Sequence, residues 1–244
     1  MKNKTMVIIG VVVLVAVVCI AFLRYGVSKL TSALFSSKFP PVTWGYEPVQ
    51  EIASRNQETL NGMWNSFREF MEASKVSENP EDSESLVKVG TLVLPTGAIL
   101  ATDLNFVDDN FPFRRQVMPG KYSVYEARTA QGKVAVVLFM PGQKPNVWVI
   151  ADAFGDDPAD LKKTNGLWGI SVDSSVIFVD AMVCTRQSSF DPRPIINQKT
   201  SSVVVDPRTG ANVVCVNLGG VGVCKAYWAL DEAGQAIALV ATDF

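Results

Sequence analysis

The chain has 244 residues, 22 basic and 24 acidic side chains, a formal net charge of -2 and no histidine. Balanced charge without a basic block argues against nucleic acid as a partner, because binding a phosphate backbone depends on clustered Lys and Arg. The absence of histidine excludes Ser-His and Cys-His nucleophile pairs, an imidazole general base and zinc sites that contain histidine.

Residues Met6–Leu23 form eighteen consecutive apolar or glycine positions, preceded by Lys2 and Lys4 and followed by Arg24. As a helix this segment is about 27 Å long at about 1.5 Å per residue, close to the roughly 30 Å hydrocarbon core of a bilayer. It is longer than the apolar core of a secretory signal, and bulky residues stand at its end, which disfavours cleavage. We therefore expect residues 1–23 to be an uncleaved transmembrane signal anchor.

Three alternatives stay open for this leader: a cleavable secretory signal, a lipid-modified segment and a buried helix. It fits the general pattern of a cleavable signal, with Ala16 or Ala21 near a cleavage site. Cys19 suggests lipid attachment, but Val17 and Val18 stand where small residues are expected, which favours an unmodified thiol. Positive charges on the two flanks are nearly equal, so they do not decide the orientation. The short segment before the span favours a cytoplasmic amino terminus, with the body outside the cytoplasm.

A juxtamembrane connector and one amphipathic helix are expected in residues 24–85. The Pro-Pro pair at 40–41 disfavours a helix that continues from the membrane. Over about Val49–Lys75, apolar residues recur at helical spacing and predict a helix with a core-facing aromatic stripe: Leu60, Met63, Trp64, Phe67, Phe70 and Met71. The acidic segment 78–84 has no apolar residue to bury and ends this helix as a solvated loop.

Short β-prone runs separated by turn residues follow Ser85 and predict a mainly antiparallel β domain over residues 86–244. Turn residues predict hairpins around 95–97, 130–132 and 141–142. Five further runs follow: Ser175–Val179, Ser201–Val205, Asn212–Asn217, Gly222–Ala229 and Gln235–Thr242. Strand and helix patterns do not alternate, so a parallel sheet is not expected. The fold class is therefore α+β, an antiparallel sheet domain with an amino-terminal amphipathic helix, preceded by one transmembrane helix.

Cys215 and Cys224 flank Gly219-Gly220, a dipeptide that accepts the positive φ angles of a two-residue hairpin turn. Pairing outward from this turn sets the two cysteines opposite one another, at a Cα separation of about 4.5 to 5.5 Å that a disulfide tolerates. We therefore predict a disulfide between them in an exported body. The alternative is two reduced cysteines packed as small apolar residues, as expected in the cytosol.

Four aspartates are weak candidates for general acid–base chemistry: Asp103, Asp173, Asp180 and Asp243. Two carboxylates that meet in a fold can act as acid and base without histidine, whereas turn capping and single backbone hydrogen bonds are the competing explanation for each. Another dense acidic group is Asp152, Asp156, Asp157 and Asp160. Its spacing matches no EF-hand, so we interpret it as loop acids and expect neither a metal nor a cofactor.

Short motifs follow one another in the β-rich part: Leu94–Gly97, Ile99–Asp103, Pro119–Tyr122, Gly169–Asp173, Phe178–Asp180, Tyr227–Asp231 and Leu239–Phe244. In this order they resemble a bacterial family, domain of unknown function 4241, over about residues 86–244. Members of that family typically close with an aspartate-phenylalanine pair after a tyrosine-bearing hairpin, as this chain does. The resemblance implies a shared domain and carries no established activity.

Two functions are compatible with these features. The leading hypothesis is a non-catalytic module that binds another protein, such as an immunity factor, anchored in the bacterial inner membrane through residues 6–23 with its body extracytoplasmic. The alternative is a histidine-independent hydrolase or lyase that uses paired aspartates. A pocket holding two of these aspartates favours the enzyme, whereas scattered aspartates favour the binding module.

Overall fold

One α-helix, a three-residue 3₁₀ helix (Leu104–Phe106) and eleven β-strands are the regular elements in the part of the chain that the computed structural model describes. That part comprises residues 52–73, 85–106, 112–153, 156, 170–181, 192, 196–197, 200–206, 210–220 and 222–242. The α-helix is α1 (Gln57–Glu72). The strands are β1 (Ser85–Leu94), β2 (Ile99–Thr102), β3 (Gly120–Thr129), β4 (Gly132–Leu138), β5 (Val147–Ile150), β6 (Ile170–Val172), β7 (Ser175–Asp180), β8 (Ser202–Val205), β9 (Asn212–Asn217), β10 (Gly222–Leu230) and β11 (Ala236–Thr242).

The strands form two sheets that pack face to face. The larger sheet has the order β1-β3-β4-β11-β10-β5, with β6 also paired to β10, and the smaller sheet has the order β2-β7-β9-β8. Every pair among the described strands is antiparallel. The predicted mainly antiparallel architecture with an amino-terminal helix is therefore confirmed for the described residues.

The main core lies between the two sheets, where Trp228 and Leu239 of the larger sheet pack with Phe178 and Val214 of the smaller one. Successive side chains of a strand point to opposite faces of its sheet. Tyr227, which precedes Trp228 on β10, therefore faces the other side of the larger sheet. Both faces of the larger sheet are thus covered. This explains why its central strands are apolar at nearly every position and show little alternation in sequence.

Helix α1 covers the outer face of the larger sheet. Its buried stripe consists of Leu60, Met63, Trp64 and Phe67. Trp64 contacts Trp148 of β5 edge to face with ring centroids 5.9 Å apart. The predicted core-facing stripe is confirmed. The helix begins at Gln57, later than predicted, because residues 52–54 instead lie extended against β5.

No helix within the described ranges has the length and apolar character needed to cross a membrane. The predicted anchor, Met6–Leu23, and the predicted juxtamembrane connector both lie outside those ranges.

Of the hairpins predicted around 95–97, 130–132 and 141–142, only the second forms. β3 and β4 pair around Ala130-Gln131, with Thr129 opposite Gly132, as predicted. β1 and β2 do not pair, because the chain changes sheets at residues 95–97 and β2 joins β7. A glycine is required at this crossing, since Gly97 has φ +77° and a Cβ there would lie 2.0 Å from the Val117 carbonyl oxygen. β4 and β5 also do not pair, because β4 lies between β3 and β11 while β5 joins β10.

The predicted disulfide between Cys215 and Cys224 is wrong, and both residues are buried thiols. β9 and β10 do not form the expected hairpin, because β9 belongs to the smaller sheet and β10 to the larger one. Cys224 faces the core between the sheets, whereas Cys215 faces the outer side of the smaller sheet. After the turn at Gly219-Gly220 the chain continues in the other sheet, so the two sulfur atoms lie apart.

Candidate functional site at the ends of the two-sheet core

Two of the candidate aspartates, Asp103 and Asp180, lie at opposite ends of the β2–β7 pair. Asp180 is opposite Ile99 at the start of β2, and Asp103 directly follows the last residue of β2. Four strand residues separate these positions by about 13 Å at about 3.3 Å per residue. The fold therefore does not bring these two carboxylates together as an acid–base pair.

Asp180 holds the point where the chain crosses from β1 to β2. It is fully buried. Its carboxylate accepts a hydrogen bond from the Thr96 amide nitrogen at 2.9 Å and from the Thr96 hydroxyl at 2.8 Å. The Thr96 hydroxyl oxygen also accepts from the Ala98 nitrogen at 3.2 Å. These bonds satisfy buried polar groups at a bend that leaves the sheet, so Asp180 has a structural task.

Asp103 performs a similar task at the other end of the strand pair. It is fully buried. One carboxylate oxygen accepts from the Asn105 nitrogen at 2.8 Å, and the other accepts from the Asp173 nitrogen at 3.0 Å. Asp103 and Asp173 are thus neighbours, but it is the backbone of Asp173 that makes the contact, and Asp173 itself is exposed. Asp243, the fourth candidate, lies outside the described residues.

A polar cluster that sequence reasoning missed joins the two sheets near Asp103. The Ser201 hydroxyl donates a hydrogen bond to the Glu126 carboxylate and accepts from the Asn217 nitrogen at 2.9 Å. Lys133 lies 3.5 Å from the Glu126 carboxylate and 3.5 Å from the Asn217 carbonyl oxygen. Glu126 and Lys133 come from β3 and β4, whereas Asn217 ends β9, so the cluster ties one sheet to the other.

The sequence held one signal for this cluster. Glu126 is two residues after the core residue Val124, and Lys133 is two residues before the core residue Ala135. Both charged side chains are therefore in phase with positions that face the smaller sheet. Charges on an inward face need a partner, which predicts that they meet something polar across the core.

The cluster holds the groups of a histidine-independent nucleophile site, but their arrangement differs from one. The Ser201 oxygen receives the Asn217 N–H, and the Lys133 contacts are made to Glu126 and to a carbonyl oxygen. A nucleophilic serine needs its oxygen open to a substrate, whereas the Ser201 oxygen is bonded both to the Glu126 carboxylate and to the Asn217 N–H at the junction of the two sheets. The observed geometry is instead that of a bridge between sheets.

Cys215 lies near the same end of the smaller sheet. The pKa of its thiol is raised to about 11, mainly by burial, with a smaller increase from the charges of Asp103 and Glu126 and an opposing decrease from a hydrogen bond with the Ser175 side chain. Because the thiolate is the reactive form, Cys215 is held in its unreactive state at neutral pH.

Arg114 organises the acidic loop that follows β5. Its Nε donates to the Ala153 carbonyl oxygen at 3.1 Å and lies 3.4 Å from the Asp152 carboxylate. Burial raises the pKa of Asp152, while the charge of Arg114 lowers it. Asp156 accepts from the Ala153 nitrogen at 2.7 Å. Asp157 and Asp160 lie outside the described residues. Within the described ranges, no group of three or more Cys, Asp or Glu side chains is placed to hold a metal ion.

Residues 92–241 match a family described as "Protein of unknown function (DUF4241)". The chain belongs to this family. The DUF4241 match runs from within β1 to β11, and α1 precedes it. The resemblance predicted from the order of the motifs is thereby confirmed. No curated protein and no solved structure matches the chain.

Motifs that indicated DUF4241 membership meet in space at the hydrogen bonds described above. Thr96 of the motif Leu94–Gly97 donates to Asp180 of the motif Phe178–Asp180. Asp103, which ends the motif starting at Ile99, accepts from Asp173, which ends the motif starting at Gly169. The polar residues of these four motifs fix where the chain enters and leaves the smaller sheet.

Proposed function

We propose that the chain is a non-catalytic protein-interaction module of immunity type, anchored in the bacterial cytoplasmic membrane by residues 6–23 with its body outside the cytoplasm. The non-catalytic part of the proposal rests on what the two buried candidate carboxylates bind. Asp103 and Asp180 both accept hydrogen bonds from backbone N–H groups at opposite ends of one strand pair. A catalytic carboxylate must instead be free to exchange a proton with a substrate.

The membrane part of the proposal rests on the apolar leader. Eighteen consecutive apolar or glycine residues between charged flanks are typical of a single membrane span. The orientation rests on the short segment before the span. The cysteines do not add support for export, because Cys215 and Cys224 are thiols.

Alkaline carbonate washing of membranes tests the anchor. We expect the full-length chain to stay in the membrane pellet, and a variant with Val12→Arg and Val15→Arg to move to the supernatant. Release of the full-length, unsubstituted chain by the same wash contradicts the anchor.

Thiol labelling tests the orientation. Gln131→Cys puts a cysteine in the exposed turn between β3 and β4, in a background with Cys19→Ala and Cys184→Ala. We expect a membrane-impermeant maleimide to label this cysteine in intact spheroplasts. Labelling that requires lysis places the body in the cytoplasm.

Cross-linking in intact cells, followed by purification of the full chain in detergent and mass spectrometry, tests the interaction. We expect one partner protein to be recovered in repeated experiments, equally well with Asp173→Asn, because the exposed Asp173 carboxylate is not assigned a role in binding. Repeated failure to recover a partner contradicts the interaction function.

A further inference from the structure

The first and last strands in the two sheet orders are β1, β5, β2 and β8. Other parts of the described chain make hydrogen bonds to the outer edges of β1, β5 and β2. On β1, the Asn212 side chain accepts from the Val93 nitrogen at 2.8 Å and donates to the Thr91 carbonyl oxygen. Asn212 is itself buried on β9. One side-chain amide thus takes the place of a neighbouring strand.

The edges of β5 and β2 are covered by backbone. On β5, the Ile150 nitrogen donates to the Ile52 carbonyl oxygen at 3.0 Å, and the Trp148 carbonyl oxygen accepts from Ser54 at 2.8 Å. On β2, the Ile99 carbonyl oxygen accepts from Phe113 at 2.9 Å. Unpaired edges invite pairing with another chain, and these contacts block it.

β8 pairs with β9 on one side. Unlike the outer edges of β1, β5 and β2, its outer edge has no hydrogen bond to another part of the described chain. Its sequence is Ser-Val-Val-Val, followed by Asp206, which is buried. Val205 is 53% exposed. The edge carries neither a charged side chain nor a proline, the two residue types that most often protect an open edge.

We propose that a second copy of this chain pairs with β8, edge to edge and antiparallel, so that the two smaller sheets become one continuous sheet across a twofold axis. Self-pairing of this segment meets no like-charge repulsion, because all four residues are uncharged. An antiparallel pair of identical strands is also the arrangement that a twofold axis generates, with the same patch on both partners.

The register follows from the sheet faces. A twofold axis perpendicular to the sheet keeps each face on its own side, so it passes through a pair of identical residues, either Val203 or Val204. In these two registers the Val205 Cα atoms of the partners lie about 14 or 8 Å apart, from four or two residue rises of about 3.3 Å combined with an inter-strand spacing of about 4.8 Å.

The size of the edge sets the strength of the contact. A four-residue ladder buries less than the roughly 1,200 Å² of standard stable interfaces, so we expect weak association in dilute solution. Confinement to a membrane raises the local concentration and favours pairing. This affinity argument rests on the proposed anchor, whereas the pairing itself does not.

Cross-linking of the full chain in native membranes tests the proposal. Val205→Cys, in the background with Cys19→Ala and Cys184→Ala, is treated with a bis-maleimide that spans about 13 Å. The matched control is Val223→Cys on β10, because Val223 is 50% exposed and Val205 is 53% exposed. We expect a cross-linked homodimer with Val205→Cys and only monomer with Val223→Cys. Equal yields from the two variants, or no dimer from Val205→Cys, overturn the proposal.

A nitroxide at each of the same two positions provides an independent measurement. We expect a short inter-spin distance at position 205 that disappears on dilution with unlabelled chain, and no such distance at position 223. Cross-linking of Val205→Cys to a different protein, without homodimer, overturns self-pairing and leaves the proposed interaction function standing. Circular dichroism confirms that each variant is folded.

Discussion

The side-chain amide of Gln57 pairs with both backbone polar groups of Trp148. Its Nε2 donates to the Trp148 carbonyl oxygen at 2.6 Å, and its Oε1 accepts from the Trp148 nitrogen at 3.0 Å. The Trp148 indole donates in turn to Asn61, one turn along α1, at 2.9 Å. Helix α1 is therefore joined to the edge strand β5 by hydrogen bonds as well as by apolar packing.

Replacing Gln57→Glu should lower the free energy of unfolding by about 1–3 kcal/mol at pH 7, since a hydrogen bond to a buried carbonyl oxygen is replaced by a repulsive contact. The carboxylate keeps the acceptor for the Trp148 nitrogen but sets a negative oxygen against the Trp148 carbonyl. Urea unfolding followed by tryptophan fluorescence measures the change. Gln143→Glu is the control, because Gln143 is exposed, and it should stay within about 0.5 kcal/mol. Equal effects of the two substitutions contradict the role assigned to Gln57.

Asp103→Asn and Asp180→Asn should each cost about 1–3 kcal/mol of stability. At Asp103 an amide offers one acceptor oxygen and turns its NH₂ group toward the second N–H donor, so one hydrogen bond becomes a repulsive contact. At Asp180 the Thr96 hydroxyl loses one of the two oxygens to which it donates. Asp173→Asn should change stability by no more than about 0.5 kcal/mol, because only its backbone is used. Thermal unfolding of the three variants provides the comparison. A neutral effect at Asp103 or Asp180 indicates that the carboxylate is not the structural acceptor described here.

Cys215 and Cys224 should resist alkylation in the folded protein at pH 8. Burial raises the pKa of Cys215 from its ordinary value of 9.0 to about 11. The thiolate fraction at pH 8 is therefore about a hundredfold lower than for a thiol with the ordinary pKa, in addition to steric protection. Pulse alkylation and mass spectrometry should find both cysteines labelled in urea without prior reduction. A requirement for a reductant means that the two form a disulfide after all.

The same pKa shift makes stability depend on alkaline pH. The neutral Cys215 thiol is favoured in the folded state, so its contribution is complete below about pH 9 and is lost as the pH rises toward 11. Burial also raises the pKa of Tyr227 and acts in the same direction. The unfolding midpoint should fall across this range. It should fall less in Cys215→Ala relative to that variant's own value at pH 8, and an identical slope contradicts the assignment to Cys215.

Gly90→Ala should destabilise the protein by about 1–3 kcal/mol through overpacking. A Cβ at this position would lie 2.4 Å from the Val203 Cγ2 methyl group, where β1 approaches β8. Val203→Ala removes that methyl group, so the double variant should regain stability relative to the sum of the single changes. A double-mutant cycle in urea measures this coupling, and additive effects show that the two residues do not clash.

Residue patterns predicted best those elements that form through contacts between residues close together in sequence. The stripe from Leu60 to Phe67 lies on one face of a helix whatever it packs against, and the β3–β4 hairpin closes within its own turn. β6 was missed because Ile170–Val172 is too short to show a pattern and forms only by pairing with β10. The Glu126–Ser201 contact joins residues 75 positions apart, so no local spacing reveals it.

The sequence alone determined the described strands other than β6, the amphipathic helix, the family and the apolar leader, because alternation, helical periodicity and motif order are properties of neighbouring residues. Only the tertiary structure decided which sheet each strand joins. The same turn sequence can join two strands of one sheet or lead from one sheet to the other. Which of these happens depends on contacts between residues far apart in the chain, such as Thr96 and Asp180, 84 residues apart. For the same reason Cys215 and Cys224, close in sequence, face different cores.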